Sequence, residues 1–112
     1  MKVLVIQTRY GIGDMLIFHP YLKAISQKIG VKISILAKET SKANELFKYE
    51  TFLDEVIKLD DTNDKILGFS RLTKEIKSRN FDKVFIFNGS IRYRLLALFS
   101  GIKEIYQYPF FQ

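Results

Sequence analysis

The chain has no cysteine among its 112 residues, and this removes two kinds of site at once. Without thiols there is neither a disulfide frame nor a thiolate metal centre, and the chain is compatible with a reducing compartment. Histidine is nearly as scarce. His19 stands alone, with no second histidine and no cysteine to complete a metal site, so it reads as a packed or surface residue of a helix. No apolar run approaches the roughly 18 residues that a membrane span needs. The N-terminus carries one lysine followed by strand-like residues, without the small-residue cleavage site of a signal peptide. These absences make a cytoplasmic protein the simplest expectation. There is no internal repeat, low-complexity tract or linker. Residues 1–112 read as a single domain, long enough to bury roughly two-thirds of its unfolded surface.

What is present is basic. The net charge of +6 favours an anionic partner: a phosphate, an acidic sugar, an anionic membrane surface or a nucleic acid. Most of the charge is lysine spread over helices, and Arg71, Lys74, Lys77 and Arg79 read as a solvated helix face. Binding of nucleic acid also needs clustered base-stacking aromatics. The phenylalanines here fall mostly at core positions, so nucleic acid is not an expected partner.

Apolar periodicity divides the chain into alternating strands and helices. Residues 2–7 read as a strand buried on both faces, with four consecutive β-branched or leucine residues, Val3 to Ile6, and no alternation. From Asp14 to about Ile29, Phe18, Leu22, Ile25 and Ile29 share one helical face, and Gly30 follows as a stop. Pro20 lies inside this pattern and predicts a bend or an irregular turn. Val31–Ala37 reads as a strand. Thr40–Tyr49 reads as a helix with Thr40 or Ser41 as cap. Glu55–Leu59 is a third strand ending in Asp60-Asp61, a pair that fits a polar loop end as well as a cation site; no metal is expected. Lys65–Arg79 is a helix with Ile66, Phe69, Leu72 and Ile76 inward. Lys83–Phe87 is a strand, Ser90–Ser100 a helix stopped by Gly101, and Lys103–Tyr106 a last strand. The result is an α/β fold: a Rossmann-like, doubly wound, mostly parallel sheet with right-handed crossovers.

Chemistry concentrates where strands end. Gly11-Ile12-Gly13-Asp14 lies between the first strand and the first helix, and loops leaving the carboxyl ends of parallel strands line the ligand crevice. Glycines there permit a tight turn and close ligand approach. The strand order 3-2-1-4-5 brings Thr8, Arg9, Tyr10 and Asp14 next to the segment Asn88, Gly89, Ser90 and Arg92, with Lys38, Glu39 and Thr40 on the same edge. A carboxylate beside hydroxyl, amide and guanidinium groups suits a polyhydroxylated anionic ligand, which Arg92 and Arg94 can grip bidentately. Asp14 is also suited to capping the first helix, a role compatible with chemistry, although the free amides and dipole there favour its ionised form and weaken it as a base. A dinucleotide site competes for the same loop. Gly11-x-Gly13 opens the G-x-G-x-x-G fingerprint, but Leu16 occupies its third glycine position and Glu39 falls late for the ribose-binding acid.

These residues carry a family resemblance. Lys2-Val3-Leu4-Val5-Ile6, the Gly11–Leu16 turn, Pro20 and the helix end Lys28-Ile29-Gly30 resemble the N-terminus of the lipopolysaccharide heptosyltransferases, glycosyltransferase family 9. The segments Asp54–Asp60 and Asp82–Ser90, and the leucine-rich helix from Arg92 to Gly101, are similar too. The resemblance implies half of a GT-B architecture: an acceptor-binding Rossmann-like domain whose partner domain binds the ADP-activated heptose. It implies that Asp14 is the general base that takes the proton from an acceptor hydroxyl, and that basic residues hold an acidic glycan or glycolipid. Arg9, Gly11, Gly13, Asn88, Ser90 and Arg92 are the substrate-binding candidates on this chain. Gln7 departs from members that carry a lysine at the end of the first strand.

The resemblance further implies that 112 residues hold only the acceptor side, that the donor domain is missing, and that the isolated chain is catalytically silent. It needs no cofactor of its own. It implies a cytoplasmic location with peripheral association to the inner membrane. Two other classes stay open: a non-catalytic binding or assembly module that dimerises through the apolar end Tyr108-Pro109-Phe110-Phe111-Gln112, and a nucleotide-binding domain using Gly11 and Gly13.

Overall fold

The computed structural model describes residues 1–8, 12–38, 42–59 and 65–108, with the side chains of Ile12, Asp14, Lys65, Ile66 and Leu67 outside that description. Its elements run β1 (Val3–Gln7), α1 (Ile12–Ile29), β2 (Ile33–Lys38), α2 (Ala43–Leu46), β3 (Leu53–Leu59), α3 (Lys65–Lys77), β4 (Lys83–Ile86), α4 (Ile91–Phe99) and β5 (Glu104–Gln107). All four strand pairings are parallel, and the sheet order is β3-β2-β1-β4-β5. The fold class and strand order are those expected from the sequence.

The sheet alternation sorts the side chains into two cores. Val3 and Val5 of β1, with Ile33, Ile35 and Ala37 of β2, pack with Met15, Phe18 and Leu22 of α1 and with Ala43 and Phe47 at α2. Leu4, Ile6 and Leu36 point the other way, where Val84 and Ile86 join Leu72 and Ile76 of α3 and Leu96 and Ala97 of α4. Both faces of β1 are therefore covered, which explains its unbroken apolar run. Two helices end on left-handed glycines, Gly30 (φ 82°) and Gly101 (φ 78°), at the stops read from the sequence.

Three local expectations change. The helix read over Thr40–Tyr49 is a single turn, Ala43–Leu46, entered through Lys42 in the left-handed region (φ 57°) with no side-chain cap; Thr40 and Ser41 lie outside the described residues. Helix α1 opens at Ile12, so Asp14 is inside its first turn and is not its cap. The same helix runs through Pro20 without interruption. Pro20 is exposed, so the Leu16 carbonyl that its ring leaves without an intrahelical donor stands on the solvent side. Among the described residues no helix is long and apolar enough to cross a membrane.

Candidate functional site

Because every pairing is parallel, all five strands end on one edge of the sheet. The connections reverse direction between β1 and β4: β1 to β3 step one way, and after the α3 crossover β4 and β5 step the other. A crevice opens at such a reversal. Thr8, just past β1, and the Phe87–Ser90 segment, just past β4, stand on its two sides.

The two sides are joined. Asn88 donates from Nδ2 to the Thr8 hydroxyl at 2.7 Å, and its Oδ1 accepts the Ser90 amide at 2.7 Å. Ser90 then caps α4, its Oγ accepting the Arg92 amide at 3.2 Å. One residue outside the sequence-derived set completes the arrangement. Gln107, level with Ile86 in the β4–β5 register, donates from Nε2 to the carbonyls of Asn88 (2.8 Å) and Ser90 (2.9 Å). Its signal in the sequence was a polar residue one position past the expected end of the last strand. The loop is thus fixed from β1 and from β5. Among the described residues no buried side-chain nitrogen or oxygen lacks a partner.

Asn88, Ser90 and Arg92 therefore come together as expected. Arg92 is half-buried at the first turn of α4, and Arg94, two residues on, is exposed. Gly13 and the backbone of Asp14 belong to the first turn of α1, whose N-terminus opens on the same edge. Helix α1 covers one face of the sheet and α4 the other, so Asp14 and Arg92 flank the crevice from opposite faces on a shared rim. Arg9, Tyr10, Gly11, Glu39 and Thr40 lie outside the described residues, as does the Asp60-Asp61 pair.

The reason for glycine at position 13 differs from the expected one. Its backbone is helical and its φ is not positive, so no special conformation requires it. A Cβ built there meets nothing within 4 Å, so packing does not require it either. What glycine does at this point is keep the first turn of α1 bare and open.

His19 is structural in its surroundings. Its ring lies 5.4 Å from those of Phe47 and Phe52, and Nε2 meets Glu50 Oε1 at 3.0 Å. Among the described residues no group of three or more His, Cys, Asp or Glu can hold a metal ion. At the far end of the fold Arg79 bonds Glu55 from β3 at 2.5 Å, and that hydrogen bond holds the guanidinium above its ordinary pKa against the lowering effect of burial. A cavity of about 330 Å³ lies at that opposite edge, between Lys77, Asp82, Ser100 and Lys103. It is lined by the segments entering β4 and β5 and by the ends of α3 and α4, and it stands away from the crevice.

No protein-family model and no curated protein matches the sequence. Solved structures do match the fold. A glycosyl transferase family 9 protein from Veillonella parvula superposes with a TM-score of 0.77 over 93% of this chain, at 19% identity. The E. coli ADP-heptose LPS heptosyltransferase II does so with a TM-score of 0.75 over 96%, at 20% identity. The domain is glycosyltransferase-like in fold. This chain spans 30% of the length of each of those two proteins. The C-terminal domain of a hydrogenase from Pyrococcus furiosus matches more loosely, with a TM-score of 0.55 at 20% identity, over 95% of this chain and 89% of that one. At such identities the likeness is one of architecture, and function rests on the rim.

Proposed function

We propose that this domain is the acceptor-binding part of a glycosyltransferase that moves a sugar from a nucleotide-sugar to an anionic, lipopolysaccharide-type glycan or glycolipid. The supporting observation is the Thr8–Asn88 bond at the strand reversal, which holds the Asn88–Arg92 loop across the crevice from the opening of α1. In this reading the bare turn at Gly13 admits the acceptor, Ser90 and Arg92 hold its hydroxyl and acidic groups, and Arg9 adds a second cation. Asp14 takes the proton of the attacking hydroxyl as the new glycosidic bond forms. The nucleotide, ADP-heptose for instance, binds a further domain, so this domain alone does not turn over. The fold of the two longer glycosyltransferase neighbours, of which this chain spans 30%, supports the reading.

Titration of the ¹⁵N-labelled chain with a deacylated, acidic lipopolysaccharide core acceptor tests it. Amide shifts are expected at Gly13, Gly89, Ser90 and Arg92, and ADP-heptose alone is expected to move none of them. An acceptor that shifts only residues on the opposite edge, or none, overturns the reading. Asp14→Asn is expected to leave acceptor affinity within about threefold, since a general base acts in turnover more than in binding.

A further inference from the structure

The cavity at the strand-entry edge is basic, and the sugar-transfer chemistry leaves it unused. Its volume of about 330 Å³ is at the lower end of the roughly 300–1,000 Å³ that small-molecule sites occupy. Lys77, in the last turn of α3, and Lys103, just before β5, both line it. Among the described residues neither lysine has an ion-pair partner. A third cation stands close, since the Lys2 ammonium lies 5.3 Å from the ring centre of Phe81, a buried residue of the lining. Asp82 is the one acid there, and its Oδ2 already accepts the Lys2 amide at 2.8 Å. Helix C-termini by themselves favour cations. Here the carbonyls of Lys77, Leu98 and Ala97 accept the amides of Asn80 (3.2 Å), Gly101 (3.1 Å) and Ile102 (3.2 Å), so both helix ends are closed within the chain and oppose the lysines little.

We infer that this cavity binds a small phosphorylated molecule that also carries hydroxyl groups. Two ammonium groups on flexible stems, from two different elements, suit a phosphoryl group as point charges. A planar carboxylate is matched better by a guanidinium fork, and no arginine lines the cavity. Phe81 offers an apolar wall to a carbon skeleton, while Asn80 and Asp82 offer polar partners for hydroxyls. Asp82 also sets the selectivity. Its charge repels a bare polyanion, whereas a ligand hydroxyl can donate to it. The inference stands apart from the sugar-transfer reading, since it uses none of Thr8, Asp14, Asn88 or Arg92 and lies at the other edge of the sheet.

Titration of the ¹⁵N-labelled chain tests it, with glucose 6-phosphate, glucose and inorganic phosphate as probes at a constant ionic strength of about 0.15 M. Glucose 6-phosphate is expected to shift the amides of Asn80, Asp82, Gly101 and Lys103 saturably, with half-saturation below about 1 mM. Inorganic phosphate is expected to bind at least about tenfold more weakly, and glucose to shift none of these amides. This comparison needs no variant. Lys77→Gln with Lys103→Gln, both exposed, is expected to lower the affinity for glucose 6-phosphate at least about tenfold while keeping the parent's circular dichroism and urea midpoint. Asp82→Asn is expected to strengthen inorganic phosphate several-fold, which narrows the gap between the two anions. Shifts that fail to saturate, or that follow exposed charge onto Arg71 and Lys74, overturn the inference, as does undiminished affinity in the folded lysine variant. Equal affinity for the two anions overturns it in favour of a simple anion site. Shifts confined to Ser90 and Arg92 overturn it while leaving the sugar-transfer reading standing.

Discussion

Asn88, on the loop after β4, donates its side-chain amide to the hydroxyl of Thr8 at the end of β1, 80 residues earlier, over 2.7 Å. The same side chain accepts the Ser90 amide, so one residue both closes its own loop and ties it across the strand reversal. Asn88→Ala removes both bonds and is expected to cost about 1–3 kcal/mol. Thr8→Val removes only the cross-strand one. A double-mutant cycle from urea unfolding should give a coupling energy of about 1 kcal/mol between the two positions. A coupling near zero would mean that the loop is held without this bond.

Gln107 fixes the same loop from the other side, with both protons of its amide committed to backbone carbonyls. Gln107→Leu keeps the shape and loses both donors. Stability is expected to fall by about 1–2 kcal/mol. Hydrogen exchange should localise the loss, with protection falling at Ser90 and Arg92 more than in β1.

Position 107 also marks where the sequence was legible and where it was not. The two-sided apolar run of β1 and the α1 stripe of Phe18 and Leu22 gave the fold, because burial alternation is a property of neighbouring residues. The order of the strands followed from reading the alternating pattern as doubly wound, and the pairings agree with it. Gln107 was not readable, since its role depends on a register of β5 against β4 that no local pattern encodes. Helix α2 shrank to four residues because a favourable composition over 40–49 says nothing about whether tertiary packing sustains the helix. The capping role considered for Asp14 failed because the helix opens at Ile12, which puts the cap position three residues before Asp14. The neighbourhood of Thr8 and Asn88 was legible, though the bond itself was not.

Phe18 joins α1 to the reversal strand. It is fully buried, with its ring edge-on to Phe87 at 4.6 Å, immediately before Asn88. Tyr108 stacks on the other side of the pair, 5.2 Å from Phe87, so residue 108 packs on the chain's own sheet. Phe18→Ala is expected to cost about 3–5 kcal/mol, a large share of a small domain's stability. Equilibrium urea unfolding measures it.

Arg79 fastens the end of α3 to β3 through Glu55, and its Nη1 donates to the Glu75 carbonyl at 2.6 Å. The Glu55 bond raises the Arg79 pKa, so the folded state holds this proton more tightly than the unfolded one. Stability from a raised pKa is fully present below the unfolded value and is lost only as pH climbs through the folded value, which for arginine lies far into the alkaline range. Arg79→Gln is therefore expected to cost about 1 kcal/mol, discounted for the solvent exposure of Glu55. Any difference between the deficits measured at about pH 7 and about pH 9 would have to come from other groups, because Arg79 stays charged at both. Paired thermal melts at the two values check this.

Gly13 separates folding from recognition at a single atom. Glycine in a helix interior costs about 0.5–1 kcal/mol relative to alanine, and here the backbone is helical while the space around a new Cβ is empty. Gly13→Ala should therefore stabilise the domain by about that amount. If the open turn exists for a ligand, the same methyl group should weaken the acidic acceptor by tenfold or more, because it occupies space that only a close-approaching ligand would use. Urea midpoints and the ¹⁵N titration, run on one sample, report the two effects together. A variant that gains stability and binds the acceptor undiminished would remove the first turn of α1 from the site, and with it the reason for assigning a role to Asp14.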